Sequence, residues 1–156
     1  MIVLSILNVI CGCATKRSLP ATDYNVVVWD HGKKTEVESV ADNEQVVKAV
    51  TQIVKNSDDM MQLLVTDKLI TKLQKERKCM ELTLGSPLTL KVGEEEVSFT
   101  RLLIPIASAS ENDTEAIVFY LGDKKRYFTP PYVSTQGKSD FLSLAKLLDF
   151  TSMIDN

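Results

Sequence analysis

The hydrophobic pattern of the chain changes period twice. Residues 24–29, Tyr-Asn-Val-Val-Val-Trp, are dense in β-branched and aromatic side chains and predict a strand. Asp30-His31-Gly32-Lys33 carries turn residues, and Thr35 to Val40 predicts a half-exposed return strand. At Asp42 the period becomes helical. Val46, Val47, Val50, Ile53 and Val54 fall on one face, Asp42 is placed to cap it, and Gln45 completes a capping-box pattern. Valine is a weak helix former, so packing rather than propensity must hold this helix. Asn56-Ser57-Asp58-Asp59 ends it, and the apolar run Met60 to Val65 fits strand and helix equally. Thr66 then caps a second helix, with Asp67 in its first turn, Leu69, Ile70 and Leu73 on its apolar side and Arg77-Lys78 at its end.

From Cys79 the period falls to two. Met80, Leu82 and Leu84 alternate with Glu81 and Thr83. Gly85-Ser86-Pro87 predicts a turn, and Leu88, Leu90 and Val92 a further strand. Gly93 and Glu94-Glu95-Glu96 turn again before a strand over Val97 to Ile106, in which Pro105 marks an edge, a bulge or the end. Ala107 to Thr114 reads as a polar loop. Glu115 to Leu121 and Arg126 to Thr129 read as a hairpin about Gly122-Asp123-Lys124-Lys125, and Pro130-Pro131-Tyr132 breaks the pattern. Phe141, Leu144, Ala145 and Leu148 predict a last helix, and the residues after Phe150 a fraying tail. Clustered strands with segregated helices predict an α+β fold, with an antiparallel sheet of about five to six strands and about two to three helices packed on one face.

Composition narrows the class without choosing a function. The 156 residues are 44% hydrophobic and 25% charged, which excludes wholesale disorder, collagen and coiled coil. Eighteen Lys and Arg against 21 Asp and Glu leave a net charge of −3, which argues against a nucleic-acid partner. Three Cys and one His are too few for a self-contained zinc site of the finger type. No Walker loop, dinucleotide Gly pattern, His-Glu-x-x-His or Gly-x-Ser-x-Gly occurs, so no cofactor or metal is expected.

The first residues change the picture more. Ile2 to Ile10 are apolar apart from Ser5 and Asn8, a run too short to span a bilayer as a helix but long enough for the core of a secretory signal. Gly12-Cys13 follows, and then the composition switches to Ala-Thr-Lys-Arg-Ser-Leu-Pro. Ile10-Cys11-Gly12-Cys13 resembles the lipobox of bacterial lipoproteins. Cys11 is an unusual occupant of its position, and no Lys or Arg precedes Cys13, which fits a start of translation upstream of Met1. The resemblance implies removal of residues 1–12 as a signal peptide and lipid attachment at Cys13. It also implies, through Ala14, a bacterial cell envelope location at the outer membrane. Residues 13–23 then form the lipidated Cys and a tether of roughly 17–20 Å, and residues 24–156 a single domain. A packed N-terminal strand of a cytoplasmic protein is the competing reading of the same run.

Chemistry-bearing residues are few. Asp30-His31 is the only carboxylate beside an imidazole, but neighbours on a strand point apart. His31 is therefore the base of a rival hydrolase reading, alone or paired with Cys79, which otherwise reads as a buried small hydrophobe. Glu94, Glu95 and Glu96 read as a solvated hairpin tip. In a second rival reading they are the acidic loop of an inhibitor or immunity-type protein against an envelope-active enzyme. Lys124, Lys125 and Arg126 with Tyr127 and Tyr132 form the candidate partner-binding stretch, facing an envelope protein or a glycan. The favoured expectation is a non-catalytic binding or accessory module held to the membrane by lipid.

Overall fold

The computed structural model describes residues 23–106 and 115–150. The signal segment, Cys13, the tether up to residue 22, the loop Ala107 to Thr114 and the tail after Phe150 lie outside them. Among the described residues, seven strands and three helices run in the order β1 (Tyr24–Asp30), β2 (Lys33–Val37), α1 (Asn43–Lys55), β3 (Asp59–Met60), α2 (Asp67–Glu76), β4 (Lys78–Val92), β5 (Glu95–Pro105), β6 (Ile117–Gly122), β7 (Tyr132–Ser134) and α3 (Lys138–Leu147). The strands form one antiparallel sheet in the order β2-β1-β4-β5-β6-β7-β3. The α+β class holds, with more strands than the pattern resolved.

Both helix caps read from the sequence are made. The Asp42 carboxylate accepts from the Gln45 N–H at 3.3 Å, and the Thr66 hydroxyl accepts from Leu69 N–H at 3.2 Å. Each relieves a donor that the first helical turn leaves unpaired, an effect of about 1 kcal/mol. Val46, Val50, Ile53 and Val54 of α1 are fully buried. Each contributes roughly 1.5–3 kcal/mol relative to exposure, which offsets the poor helix propensity of valine.

Two of the helices, α1 and α3, share one face of the sheet as expected, while α2 covers the other. The main core joins Val26, Val28, Met80, Leu82, Leu102, Ile104 and Phe119 to α1 and α3. The alternate strand positions Cys79, Leu103 and Tyr120 face the other way and pack under Ile70 of α2. A period of two records only that alternate residues point apart. It does not record that a ten-residue helix covers the second face as well.

Two further boundaries differ. Residues 79–84 and 88–92 belong to one long strand, since Gly85-Ser86-Pro87 is absorbed as a register slip between Thr83 and Leu88 instead of a turn. Beyond the slip, Leu88 faces Phe99 and Leu90 faces Val97, and this end of the β4–β5 hairpin packs on the main core. Arg126 to Thr129 makes only an isolated bridge, Tyr127 to Gly122, and the strand beside β6 is Tyr132–Ser134. Pro105 closes β5, as its missing N–H requires.

Candidate functional site

Asp30 and His31 close the β1–β2 turn. His31 adopts φ 49°, and this left-handed backbone swings the imidazole back so that Nδ1 lies 2.7 Å from Asp30 Oδ1. The alternation argument expected the two side chains to part, and the turn conformation overrides it. The hydrogen bond to His31 holds the Asp30 carboxyl below the usual range. Both side chains are exposed, at 70% and 53%, and neither lines a groove described below. Cys79 is fully buried, and its thiol donates to the Leu73 carbonyl at 3.6 Å rather than to His31. Burial pushes that thiol up to about 12, so it is not a thiolate at neutral pH.

The cation–aromatic stretch divides. Lys124, Lys125 and Arg126 are exposed on a turn held by Asp123, whose carboxylate accepts from Lys125 N–H at 2.7 Å and Arg126 N–H at 2.9 Å. Those two bonds hold the Asp123 carboxyl low. The aromatics turn inward, to opposite faces of the sheet. Tyr132 stacks on Phe119 in the main core, with ring centroids 5.7 Å apart, and Tyr127 enters the core under α2. Gly122 permits the tight return, since a Cβ there would stand 2.6 Å from the Arg126 carbonyl oxygen. The five residues therefore do not form one recognition surface.

Tyr127 instead joins a polar cluster that the sequence pattern missed. Glu81, 7% exposed, sits on the α2 face of β4. Its Oε1 accepts from Arg101 Nε at 3.1 Å, Arg101 Nη2 at 2.5 Å and the Tyr127 hydroxyl at 2.8 Å. Its Oε2 accepts from Trp29 Nε1 at 2.9 Å and Gln74 Nε2 at 3.2 Å. The Arg101 guanidinium also lies 4.4 Å from the Tyr127 ring centroid, a cation–π distance. Burial opposes charge on Glu81, but the bonds from Arg101, Trp29 and Tyr127 outweigh it and hold the carboxyl below its ordinary value. Burial, then the Glu81 charge, pushes the Tyr127 phenol far up. Four elements are tied to this carboxylate: β1, α2, β5 and the segment after β6. With both oxygens committed to protein donors, it offers nothing to a substrate. Glu81 carries the fold of this face.

The opposite situation occurs at the sheet margin beside β3. Asp58 N–H donates to the Val133 carbonyl at 3.0 Å, and Met61 N–H to the Pro131 carbonyl at 3.1 Å. The Asp58 carboxylate accepts from Thr135 N–H at 3.0 Å and from the Thr135 hydroxyl, and those bonds hold its pKa low. Val65 N–H donates to Thr129 Oγ1 at 3.0 Å. The segment between is thus pinned at both ends, yet Met60 is 52%, Met61 40% and Leu64 71% exposed. A groove of about 440 Å³ opens between this segment, Pro130, Tyr132 and the Val92–Gly93 tip of the β4–β5 hairpin. Gly93, at φ 61°, makes the tip turn, and Glu94, Glu95 and Glu96 follow it, all exposed. Burial, then the nearby Glu95 charge, raises the Tyr132 phenol. A second depression of about 660 Å³ lies between Leu64, Thr66, Asp67, Arg126, Tyr127 and Phe128, and brings Arg126 and Tyr127 of the candidate stretch together.

Ordered apolar side chains at the surface, next to a concave wall, are the usual mark of an interaction site. The sequence signal was present in Met60 to Val65, an apolar run with no assigned period. Among the described residues no group of three His, Cys, Asp or Glu side chains is arranged to hold a metal ion, and no helix is long and apolar enough to cross a membrane. Comparison of the chain with models of known families, with curated proteins and with solved structures finds no match.

Proposed function

We propose that this chain is a lipid-anchored protein of a bacterial envelope, held at the outer membrane through Cys13, that works by binding an envelope protein or glycan rather than by catalysis. The observation that carries the reading is the box Ile10-Cys11-Gly12-Cys13 at the end of a short apolar run, with a polar tether directly behind it. Two acyl chains hold a protein stably where one holds only reversibly, at about 0.8 kcal/mol per buried methylene. The domain supports the binding half of the reading. Of the two residues singled out for nucleophile or base chemistry, Cys79 is protonated and buried, and His31 is open to solvent and lines neither of the two grooves described above. The pinned apolar margin beside β3 supplies a surface.

A clickable fatty acid fed to cells expressing the chain tests the address. The label should appear on the wild type, disappear with Cys13→Ser, and leave a longer, uncleaved species when signal cleavage is blocked with globomycin. An unlabelled wild type, or label retained by Cys13→Ser, overturns the reading.

A second reading, an inhibitor or immunity-type protein, has one observation in its favour: Glu94, Glu95 and Glu96 stand together at an exposed hairpin tip. Alanine at all three should then abolish inhibition of the target enzyme, and unchanged inhibition removes this reading.

A further inference from the structure

The geometry points to the groove between β3 and the β4–β5 tip as a docking site for an extended segment of a partner polypeptide in which apolar side chains alternate with Lys or Arg. This rests on the binding role proposed above and gives it a place and a chemistry. The floor of the groove is apolar, built from Met60, Met61, Val92, Pro130 and Tyr132. Methionine is unbranched and polarizable, so a paired Met floor can follow the shape of varied apolar side chains. The charged groups beside it are mostly acidic, with Lys91, across the hairpin from Glu96, the one cation at the tip among the described residues. Asp58 and Asp59 line one wall, Glu94 to Glu96 lead away from the other at Gly93, and among the described residues no Lys or Arg lines the groove. Asp58 is held ionised by Thr135, so its negative charge persists in mildly acid solution.

The recognition runs through side chains. Asp59 Oδ1 accepts from the Met60 N–H at 2.7 Å, which occupies that donor at the sheet margin and discourages simple strand addition. An extended segment places successive side chains on opposite sides. Apolar residues at every second position reach the Met floor, and the residues between them face outward, where long cationic side chains bend to the acidic rim. An acidic or wholly polar segment gains neither contact.

The test uses the purified full chain carrying Cys13→Ser and three fluorescent short peptides, alternating Leu with Lys, Leu with Glu, and Ser with Lys. Anisotropy should show the Leu-Lys peptide binding about tenfold or more tightly than either control, with affinity falling as salt rises. Met60→Ser with Met61→Ser should weaken it by about tenfold, Asp59→Asn with Glu95→Gln by about threefold with a shallower salt dependence, and Leu142→Ser, at an exposed leucine on α3, not at all. Equal binding of the Leu-Glu peptide, no binding of Leu-Lys, or binding indifferent to Met60→Ser with Met61→Ser overturns the site. So does a gain in the chain's own self-association that accounts for the signal. None of these outcomes bears on fatty-acid labelling at Cys13, so the address and the docking site fail separately.

Discussion

Glu81 and Met60 occupy places that neither side chain would take in isolation. A carboxylate lies 7% exposed beneath α2, while a methionine at the sheet margin is 52% exposed. The difference between the two regions lies in where their partners are. Around Glu81 the chain supplies its own: Arg101, Trp29, Tyr127 and Gln74 donate to both oxygens, and the burial cost is met inside the molecule. Around Met60 the backbone is pinned by Asp58–Thr135 and Met61–Pro131, but no apolar surface of the described chain closes over the side chains. Polarity alone therefore does not locate the surface proposed for docking. The polar cluster is complete and structural, and the apolar margin is incomplete and available.

The comparison breaks most visibly at Arg101. Arg101→Met leaves the Glu81 carboxylate buried without its counter-charge and should cost about 3 kcal/mol, measured by urea unfolding at neutral pH. Glu81→Met with Arg101→Met should recover only part of that loss, because it removes the orphaned charge but leaves the Trp29, Gln74 and Tyr127 donors without their acceptor. A cost under about 1 kcal/mol for the single change contradicts the structural role. Tyr127→Phe keeps the ring beneath the guanidinium and removes one donor to a charged acceptor, for an expected loss of about 1.5 kcal/mol.

Acid sharpens the same point. The folded-state pKa of Glu81 lies below its ordinary 4.5, so the unfolded chain binds the proton more readily. The stabilisation is then fully present above about pH 4.5 and is lost as pH falls through the lower folded value. Asp58 shifts in the same direction. The stability gap between wild type and Glu81→Gln should narrow as pH drops below about 4.5, and a gap that stays constant contradicts the ionised, bonded carboxylate. The smallest effect belongs to the open region. Met60→Ser with Met61→Ser should shift unfolding by no more than about 1 kcal/mol, as expected of half-exposed side chains outside the core.

Much of the fold was legible because it depends on local signals. The two side-chain caps, the valine face of α1 and the period-two run from Cys79 all lie where the residues placed them. The misreadings share a cause. Glu81 alternates with Met80 and Leu82 as a solvent-facing residue would, and only the docking of α2 on the second face turns it inward. Tyr127 and Tyr132 sit next to cations in sequence, but an antiparallel bridge at Gly122 and a short strand beside β6 send them to opposite cores. Asp30 and His31 meet because one residue takes a left-handed backbone, which residue spacing does not encode. The groove was the least legible feature. It joins the segment about β3 to the distant hairpin tip at Gly93, and non-local neighbours of that kind leave no mark in the period of either.

One amide map decides between the two regions. The chain has a single Trp, so the Trp29 indole N–H gives one reporter seated on the Glu81 carboxylate. In a two-dimensional NMR titration of the Cys13→Ser chain with the alternating Leu-Lys peptide, the shifts should concentrate at Asp58 to Gln62, Val92 to Glu95 and Tyr132, while the Trp29 indole and the Arg101 and Tyr127 amides stay still. Shifts centred on Trp29, Arg101 and Tyr127, with the margin beside β3 unmoved, would contradict the assignment of the closed cluster to stability and of the open groove to binding.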